Sequence, residues 1–160
     1  MTVFTKGKDA FSYAFKEYLN TVYRIAVHNT SCSADAEDIT QEVFVKLLEH
    51  TMPIRGEEHL KAWLIRVTIN LCRDYNKKNA RLEVVSEPVS KDEPVKEDSV
   101  LEAVKALPEN YGNAVYLHYY EGYTAKEIGS IIGAKEGTVL SWLSRGRSAL
   151  KEMIGDFDDE

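Results

Sequence analysis

Residues 124–147 have the sequence TAKEIGSIIGAKEGTVLSWLSRGR, which carries the most informative pattern in the chain. Thr124 and Glu127 have the spacing of a capping box, in which two side chains accept backbone N–H groups at the start of a helix. Three isoleucines follow as a buried face, and Gly133 suits the left-handed conformation that ends a helix. A short helix, a glycine turn and a longer second helix predict a helix-turn-helix.

Two more helices are predicted before this motif. The first begins near Ser99 and ends before Pro108, because proline interrupts a helix. The second extends from Glu109 towards Gly122. Residues 99–155 therefore form a predicted all-helical domain.

The N-terminal part, residues 8–80, carries three amphipathic helical patterns and no alternation of period two. The second helix is expected to begin after Ser33 as its N-cap, because a serine hydroxyl accepts a backbone N–H there. The third extends through residues 60–75. The positions expected to face inward are Phe11, Ala14, Phe15, Tyr18, Leu19, Val22, Ile25 and Ala26 in the first helix and Ile39, Val43, Phe44, Leu47 and Leu48 in the second. These patterns predict a helical bundle.

Residues 81–98 are predicted to be a flexible acidic linker. They contain Pro88 and Pro94, many charged residues and no aromatic side chain, so they have little to bury. The fold class expected from the whole sequence is all-α, with two small helical domains, 8–80 and 99–155, on either side of this linker.

The charge is unevenly distributed along the chain. The net charge of −6 and the pI of about 5.3 argue against a protein that binds DNA alone through a basic face. Between His59 and Arg81, however, the only acidic residue among six basic ones is Asp74. This segment predicts local contacts with anions on an otherwise acidic protein.

Several classes of protein are disfavoured by what the sequence lacks. No stretch approaches the length of a membrane span, and the first residues lack the apolar segment of a signal peptide, so a cytoplasmic protein is expected. Cys32 and Cys72 are expected to be free thiols. No nucleophile, glycine-loop or metal-ligand motif is present. We therefore expect no catalytic residue, cofactor, metal, small-molecule substrate or membrane insertion.

Both halves of the chain resemble one family. The segments concerned are residues 107–111, 115–117, 120–129, 137–139 and 141–147, with Gly133 and Leu150, in the C-terminal half, and 35–44 (DAEDITQEVF) and 62–70 (AWLIRVTIN) in the N-terminal half. The first group resembles region 4 of the extracytoplasmic-function (ECF) sigma factors, of the sigma-70 family. The second group is similar to their polymerase-docking and promoter-melting helices in region 2. The resemblance implies a non-enzymatic initiation factor that directs RNA polymerase to promoters, with −10 strand opening by region 2 and −35 duplex binding by region 4.

The third helix supplies the candidate −10 residues. Its lysines and arginines can neutralise phosphates, and the amide of Asn70 can bond the edge of an unstacked base. The resemblance implies that Asn70 faces the unpaired −10 strand; Thr68 is expected on or near the same polar side. The candidates are Trp63, Arg66, Asn70, Arg73, Lys77 and Lys78. A solvated basic face is the alternative interpretation.

The helix-turn-helix supplies the candidate −35 residues, because its second helix places its N-terminal part in the major groove. The candidates are Thr124, Lys126, Lys135, Glu136, Thr138, Ser141, Arg145 and Arg147. Leu140 and Gly112 depart from the family, which often has a basic residue at each of these positions. The alternative is a helix that only packs against region 2 or a regulator.

Asp38, Gln41 and Glu42 are the candidate polymerase-binding residues, on the polar side of the second helix. The resemblance implies that this surface meets a coiled coil of the largest polymerase subunit and that the flap region of the polymerase is also a partner. It further implies an anti-sigma factor as partner, through which the protein could be held at a membrane. An ordinary solvated helix face is the alternative.

Two other functions remain open from the sequence. A free-standing helix-turn-helix regulator would need to dimerise on two half-sites, and no heptad seam is evident. A sigma-like interaction protein without promoter activity also remains open, because of Leu140 and Gly112.

Overall fold

The computed structural model describes residues 3–85 and 99–155, with side-chain detail as far as residue 80 in the first range. Within these residues the chain forms seven helices that group into two compact units. The helices are α1 (Gly7–His28), α2 (Ser33–Glu49) and α3 (Glu57–Val85) in the first unit, and α4 (Ser99–Ala106), α5 (Glu109–Tyr119), α6 (Ala125–Ile132) and α7 (Glu136–Ile154) in the second. The predicted all-helical class is confirmed.

The first unit is built around α1, which contacts both α2 and α3. Small residues allow this close packing: Ala10 and Ala14 are 0% exposed. Gly7 begins α1 where a Cβ would collide with the Leu47 carbonyl of α2, and its N–H donates to the His50 carbonyl at 2.8 Å. The start of α1 is therefore packed on the end of α2.

Two inward positions and one helix start were predicted wrongly. Phe15 and Leu48 are 46% and 48% exposed, because the apolar stripes of α1 and α2 are wider than the contact between them. α2 begins at Ser33, with Cys32 as its N-cap. Cys32 is buried and its carbonyl accepts the Ala36 N–H, so packing rather than a serine hydroxyl sets this helix start.

α3 differs from the prediction at its end and on one side. It continues to Val85, so residues 81–85 of the predicted linker are helical; alanine, leucine and glutamate favour helix there, and the first proline comes only at Pro88. Residues 86–98 of the predicted linker lie outside the described residues. Thr68, expected on the polar side, is fully buried, and its hydroxyl donates to the Leu64 carbonyl at 2.7 Å.

The second unit contains the predicted helix-turn-helix, formed by α6 and α7. The Thr124 hydroxyl oxygen accepts the Glu127 N–H at 3.1 Å, and the Glu127 carboxylate accepts the Thr124 N–H at 2.9 Å. Gly133 has φ +77° and ends α6. Close packing of the turn explains Gly129, where a Cβ would collide with the Ala134 carbonyl. The predicted capping box and left-handed glycine are confirmed.

Candidate nucleic-acid interface

Five candidate residues form one line along α3. Trp63, Arg66, Asn70, Arg73 and Lys77 are spaced alternately by three and four residues, and such residues share a helix face. The fourteen residue steps from the first to the last span about 21 Å at 1.5 Å per residue. Arg66, Asn70 and Lys77 are exposed, whereas Trp63 and Arg73 are half-buried. We call these five residues the α3 line.

Lys78, a sixth candidate, does not lie on the α3 line. It is one residue beyond Lys77 and therefore about 100° further round the helix. It is exposed, and the exposed Asp74 precedes it by one helical turn. The structure thus brings five of the six predicted −10 residues together and separates the sixth.

Trp63 is held by its surroundings at one end of the α3 line. Its ring centroid lies 4.9 Å from that of His50, with a tilt of 50° between the planes. The indole also packs against the core of the first unit. One part of the ring therefore packs against the protein. The remainder is open to solvent, where an unstacked base could stack on it.

Hydrogen bonds to the neighbouring segments orient α3. The Tyr75 hydroxyl donates to the Asp35 carboxylate of α2 at 2.5 Å, and this bond is the main reason why the pKa of Tyr75 is raised. The Asn76 amide donates to the Asn29 carbonyl at 2.8 Å. These contacts leave no local pattern in the sequence, because 40 and 47 residues separate the partners. They hold the α3 line in a fixed direction relative to α2.

The start of α3 is held by a histidine. The Arg55 N–H donates to Nδ1 of His59 at 2.8 Å, which requires that nitrogen to be unprotonated. The pKa of His59 is lowered, first by burial and then by the positive charges of Arg55, His50 and Arg66. His59 is therefore expected to accept this hydrogen bond in its neutral form.

The second helix of the helix-turn-helix, α7, presents small polar residues to solvent. Thr138, Ser141 and Arg145 are spaced by three and four residues and share one side of this face. Arg147 lies two residues past Arg145, about 200° round the helix, on the other flank. The opposite side of α7 is buried, with Val139, Leu143, Gly146 and Leu150 facing the core.

Both predicted phosphate-binding arginines of α7 are held by tyrosines of α5. Arg145 Nη1 donates to the Tyr111 hydroxyl at 3.5 Å, and Arg147 Nη1 donates to the Tyr119 hydroxyl at 3.1 Å. Gly146, between the two arginines, lies against Val115 of α5. A guanidinium carries five N–H donors, so one bond to a phenol oxygen does not preclude a bidentate contact with a phosphate.

The remaining candidates of the helix-turn-helix lie at the helix starts. Lys135 is the N-cap of α7 and Glu136 is its first residue, and both are exposed. Thr124 and Lys126 are exposed at the start of α6. The N–H groups at a helix start form a favourable site for phosphate. Gly112, by contrast, is buried in α5, away from solvent.

The three polymerase-binding candidates form one exposed stripe on α2. Asp38, Gln41 and Glu42 have the spacing of one helix face, and all three are exposed. Val45 continues the stripe and is 50% exposed. Beside it lies an open groove of about 750 Å³ between α1 and α2, whose lining includes Phe15, Leu19, Gln41, Phe44, Val45 and Leu48. The polar stripe therefore borders an apolar surface that includes Phe15, Leu19, Phe44 and Leu48, four residues that the helical pattern predicted to face inward.

No group of three or more His, Cys, Asp or Glu side chains in residues 3–80 and 99–155 is placed to hold a metal ion. Cys32 and Cys72 are both buried, and neither forms a disulfide bond. None of the seven described helices has the length and apolar character needed to cross a membrane.

The chain is similar to known proteins in both units. Residues 14–82 match the family model for Sigma-70 region 2, and residues 97–150 match that for Sigma-70, region 4. The ECF RNA polymerase sigma factor SigE of Mycolicibacterium smegmatis is 30% identical over 91% of this chain and 62% of its own length. The ECF RNA polymerase sigma factor BldN of Streptomyces coelicolor is 30% identical over 92% of this chain and 61% of its own length. This chain thus spans about three fifths of these two relatives.

The fold is similar to that of a solved sigma factor. The sigma factor RpoE of Bartonella quintana, solved in complex with the anti-sigma factor NepR, superposes with a TM-score of 0.73 and 22% identity. The match covers 90% of this chain and 96% of that one.

Proposed function

The chain belongs to the ECF subfamily of the sigma-70 family, and from this membership we propose that it is a transcription initiation factor. It binds core RNA polymerase and directs it to specific promoters. One observation carries the proposal: a single chain combines the α3 line, which matches region 2, with a helix-turn-helix that matches region 4. The first surface suits an unpaired strand and the second suits a duplex.

The proposed division of labour follows the two units. Residues 8–80 dock on core polymerase and open the −10 element, residues 86–98 act as a linker beyond the end of α3, and residues 99–155 bind the −35 duplex. A linker between two DNA-binding units makes the second contact intramolecular once the first has formed, which raises the overall affinity. This coupling explains how a chain of net charge −6 serves as a promoter-binding subunit.

The α3 line is the proposed −10 surface. Arg66 and Arg73 lie one helical turn before and after Asn70, so they can hold the phosphates of a strand on either side of it. The Asn70 amide offers both donors and an acceptor to one base edge. Trp63 supplies a ring at the end of the line, and Lys77 supplies a further phosphate contact. Lys78 contributes only if the strand turns around the helix.

The −35 surface is proposed to be the exposed face of α7 with the start of α6. Thr138 and Ser141 lie where the second helix of the motif enters the major groove. Arg145 and Arg147 donate hydrogen bonds to tyrosine hydroxyls of α5, and they contact phosphates on the two sides of that groove. Thr124, Lys126, Lys135 and Glu136 complete the set at the two helix starts.

Core polymerase is the proposed partner of the α2 stripe. Asp38, Gln41 and Glu42 offer two carboxylates and an amide along one exposed face, suited to a basic helix surface such as a coiled coil of the largest subunit. The apolar groove beside them adds buried area to that interface. The flap region of the polymerase is proposed as a further contact.

Regulation is proposed to come from an anti-sigma factor that covers one or both DNA-binding surfaces. The support is fold similarity to a sigma factor solved with its anti-sigma factor. We expect the chain to act in the cytoplasm, held at the membrane only where such a partner is anchored there. Sigma factors are not enzymes, and we propose no catalytic role, cofactor, metal or small-molecule substrate for this chain.

Transcription from a selected promoter tests the proposal. A random-sequence promoter library is transcribed in vitro by core polymerase with and without the full chain. We expect defined promoters to be enriched only when both are present. Specific DNA binding by the chain alone, at the same sites, would instead identify a free-standing regulator. Binding to core polymerase without any promoter selection would identify an interaction protein.

A further inference from the structure

Four residues in the first half of α7 form a line along its solvent side, ahead of both arginines in the helix. Gly137, Leu140, Ser141 and Ser144 are spaced i, i+3, i+4 and i+7, so they share one face. Gly137, Leu140 and Ser144 are exposed, and Ser141 is half-buried. This line lies opposite the buried residues of α7. Because it begins in the first turn of α7, it occupies the part of the helix that enters a major groove.

Gly137 has no structural role that explains it. Glycine destabilises a helix relative to alanine, so a helical glycine usually has a packing or conformational reason. A Cβ at position 137 would meet nothing within 4 Å, and Gly137 is not among the glycines with positive φ. In contrast, a Cβ at Gly146 would lie 2.7 Å from Val115. The remaining use of a glycine is to let another molecule approach the backbone closely.

Leu140 is the most prominent side chain of this line. It is 53% exposed, and the other three residues of the line are a glycine and two serines. A single exposed leucine is common and carries no meaning by itself. Its position does, because the first half of the second helix of this motif enters the major groove, where side chains reach the base edges. Serine hydroxyls bond to several bases alike, so the two serines discriminate little.

We propose that Leu140 contacts the C5-methyl group of a thymine in the −35 duplex and that Gly137 allows the approach of α7 that this contact requires. The thymine methyl group is the apolar feature that distinguishes base pairs in the major groove. This inference rests on the proposed function and names the base that the site recognises. The basic residue that the family often has at position 140 is thus replaced by an apolar base contact.

Thymine-to-uracil substitution tests the contact, because it removes the methyl group and leaves the base pairing unchanged. Holoenzyme made from core polymerase and the full chain is measured on its selected promoter, with each −35 thymine replaced in turn by uracil. We expect one position at which uracil weakens wild-type binding about fourfold, the value of burying one methyl group. In Leu140→Ala, the affinity for the thymine promoter divided by that for the uracil promoter should fall close to one at that position. The same ratio at the other positions should stay unchanged.

A second variant tests the close approach. Gly137→Ala is expected to leave the melting temperature unchanged or raise it by a few degrees, because the site is open and alanine favours helix. Promoter binding should nevertheless weaken, and the thymine preference at the same position should fall. Wild-type affinity and thymine preference in Gly137→Ala would show that Gly137 has no part in the contact.

The outcomes separate this inference from the proposed function. If the wild-type holoenzyme selects a promoter but no −35 thymine is sensitive to uracil, the Leu140 contact is wrong and the promoter function stands. The same holds if Leu140→Ala keeps the wild-type thymine-to-uracil ratio. If Leu140→Ala instead lowers binding to core polymerase, Leu140 belongs to a protein interface. If the chain selects no promoter, both proposals fail.

Discussion

Gly146 of α7 faces Val115 of α5 so closely that a Cβ at position 146 would lie 2.7 Å from the Val115 Cγ2 atom. Valine is branched at Cβ and adjusts little, so an alanine at position 146 must either shift the two helices apart or force the Val115 side chain from its preferred rotamer. We expect Gly146→Ala to lower the free energy of unfolding by about 1–3 kcal/mol, the usual cost of overpacking a core. Chemical denaturation of the full chain measures this.

The control for this prediction is Gly137→Ala, which adds the same methyl group where nothing lies within 4 Å. The double variant Gly146→Ala with Val115→Ala should recover part of the loss, because the second change removes the obstructing methyl groups. Equal stability of Gly146→Ala and wild type would mean that α5 and α7 separate without cost.

Arg147 should lose part of its effect on DNA binding when its acceptor on Tyr119 is removed. Tyr119→Phe deletes the hydroxyl that accepts from Arg147 at 3.1 Å and keeps the ring that lies against His118. We expect −35 duplex binding by the holoenzyme to weaken about two- to tenfold, in line with the net value of one hydrogen bond. Tyr111→Phe should have a smaller effect, because its bond to Arg145 is 3.5 Å long.

A double-mutant cycle of Tyr119→Phe and Arg147→Ala, measured on −35 duplex binding, decides whether Tyr119 acts through Arg147. If it does, Tyr119→Phe should add little to the loss caused by Arg147→Ala. Fully additive losses would show that the tyrosine contributes independently of the arginine.

Asn70 and Lys77 should affect promoter binding differently. Asn70→Ala is expected to slow open-complex formation and to relax the base preference at one −10 position. The discrimination lost there should be about 1–3 kcal/mol, the value of one base contact. Lys77→Ala should weaken binding to all promoters alike and make the slope of log affinity against log salt concentration shallower by about one. In vitro transcription over single-base −10 variants measures both effects.

Lys78→Ala is the matched control, because Lys78 is one residue from Lys77 but off the α3 line. We expect it to change promoter binding less than Lys77→Ala does. An unchanged base preference in Asn70→Ala, with an altered preference in Lys77→Ala, would reverse the assigned roles.

Polymerase binding should depend on the α2 stripe. We expect Asp38→Arg with Gln41→Ala to weaken binding to core polymerase about tenfold or more, because an introduced like charge is repelled by a basic partner. Glu17→Arg, an equal charge reversal at an exposed position of α1, is the control. Wild-type affinity of the double variant, with helicity unchanged by circular dichroism, would contradict the assignment.

His59 should make the first unit less stable in mild acid. Its pKa is lowered in the folded protein, mainly by burial, so the unfolded chain binds the proton more tightly. Stability should therefore fall as the pH drops through the ordinary histidine value of about 6.5. Denaturation midpoints at two pH values on either side of it, for wild type and His59→Gln, measure the effect. An equal fall in both proteins would place the titrating group elsewhere.

Local patterns in the sequence predicted the helices and the helix-turn-helix. The Thr124–Glu127 capping box, the left-handed Gly133 and the apolar periodicity of α1 to α3 each depend on residues within a few positions of one another. Such interactions form inside one segment and leave a pattern that is visible without a partner. The spacing of the α3 line and of the α2 stripe could be recognised in the sequence for the same reason.

The remaining features depended on which helix covers which face. Thr68 is buried and Phe15 is exposed because the packing of α1, α2 and α3 covers one side of each helix and not the other. The tyrosines that hold Arg145 and Arg147 stand 34 and 28 residues before them in the chain. Contacts between segments so far apart arise when the helices pack, and no local periodicity records them.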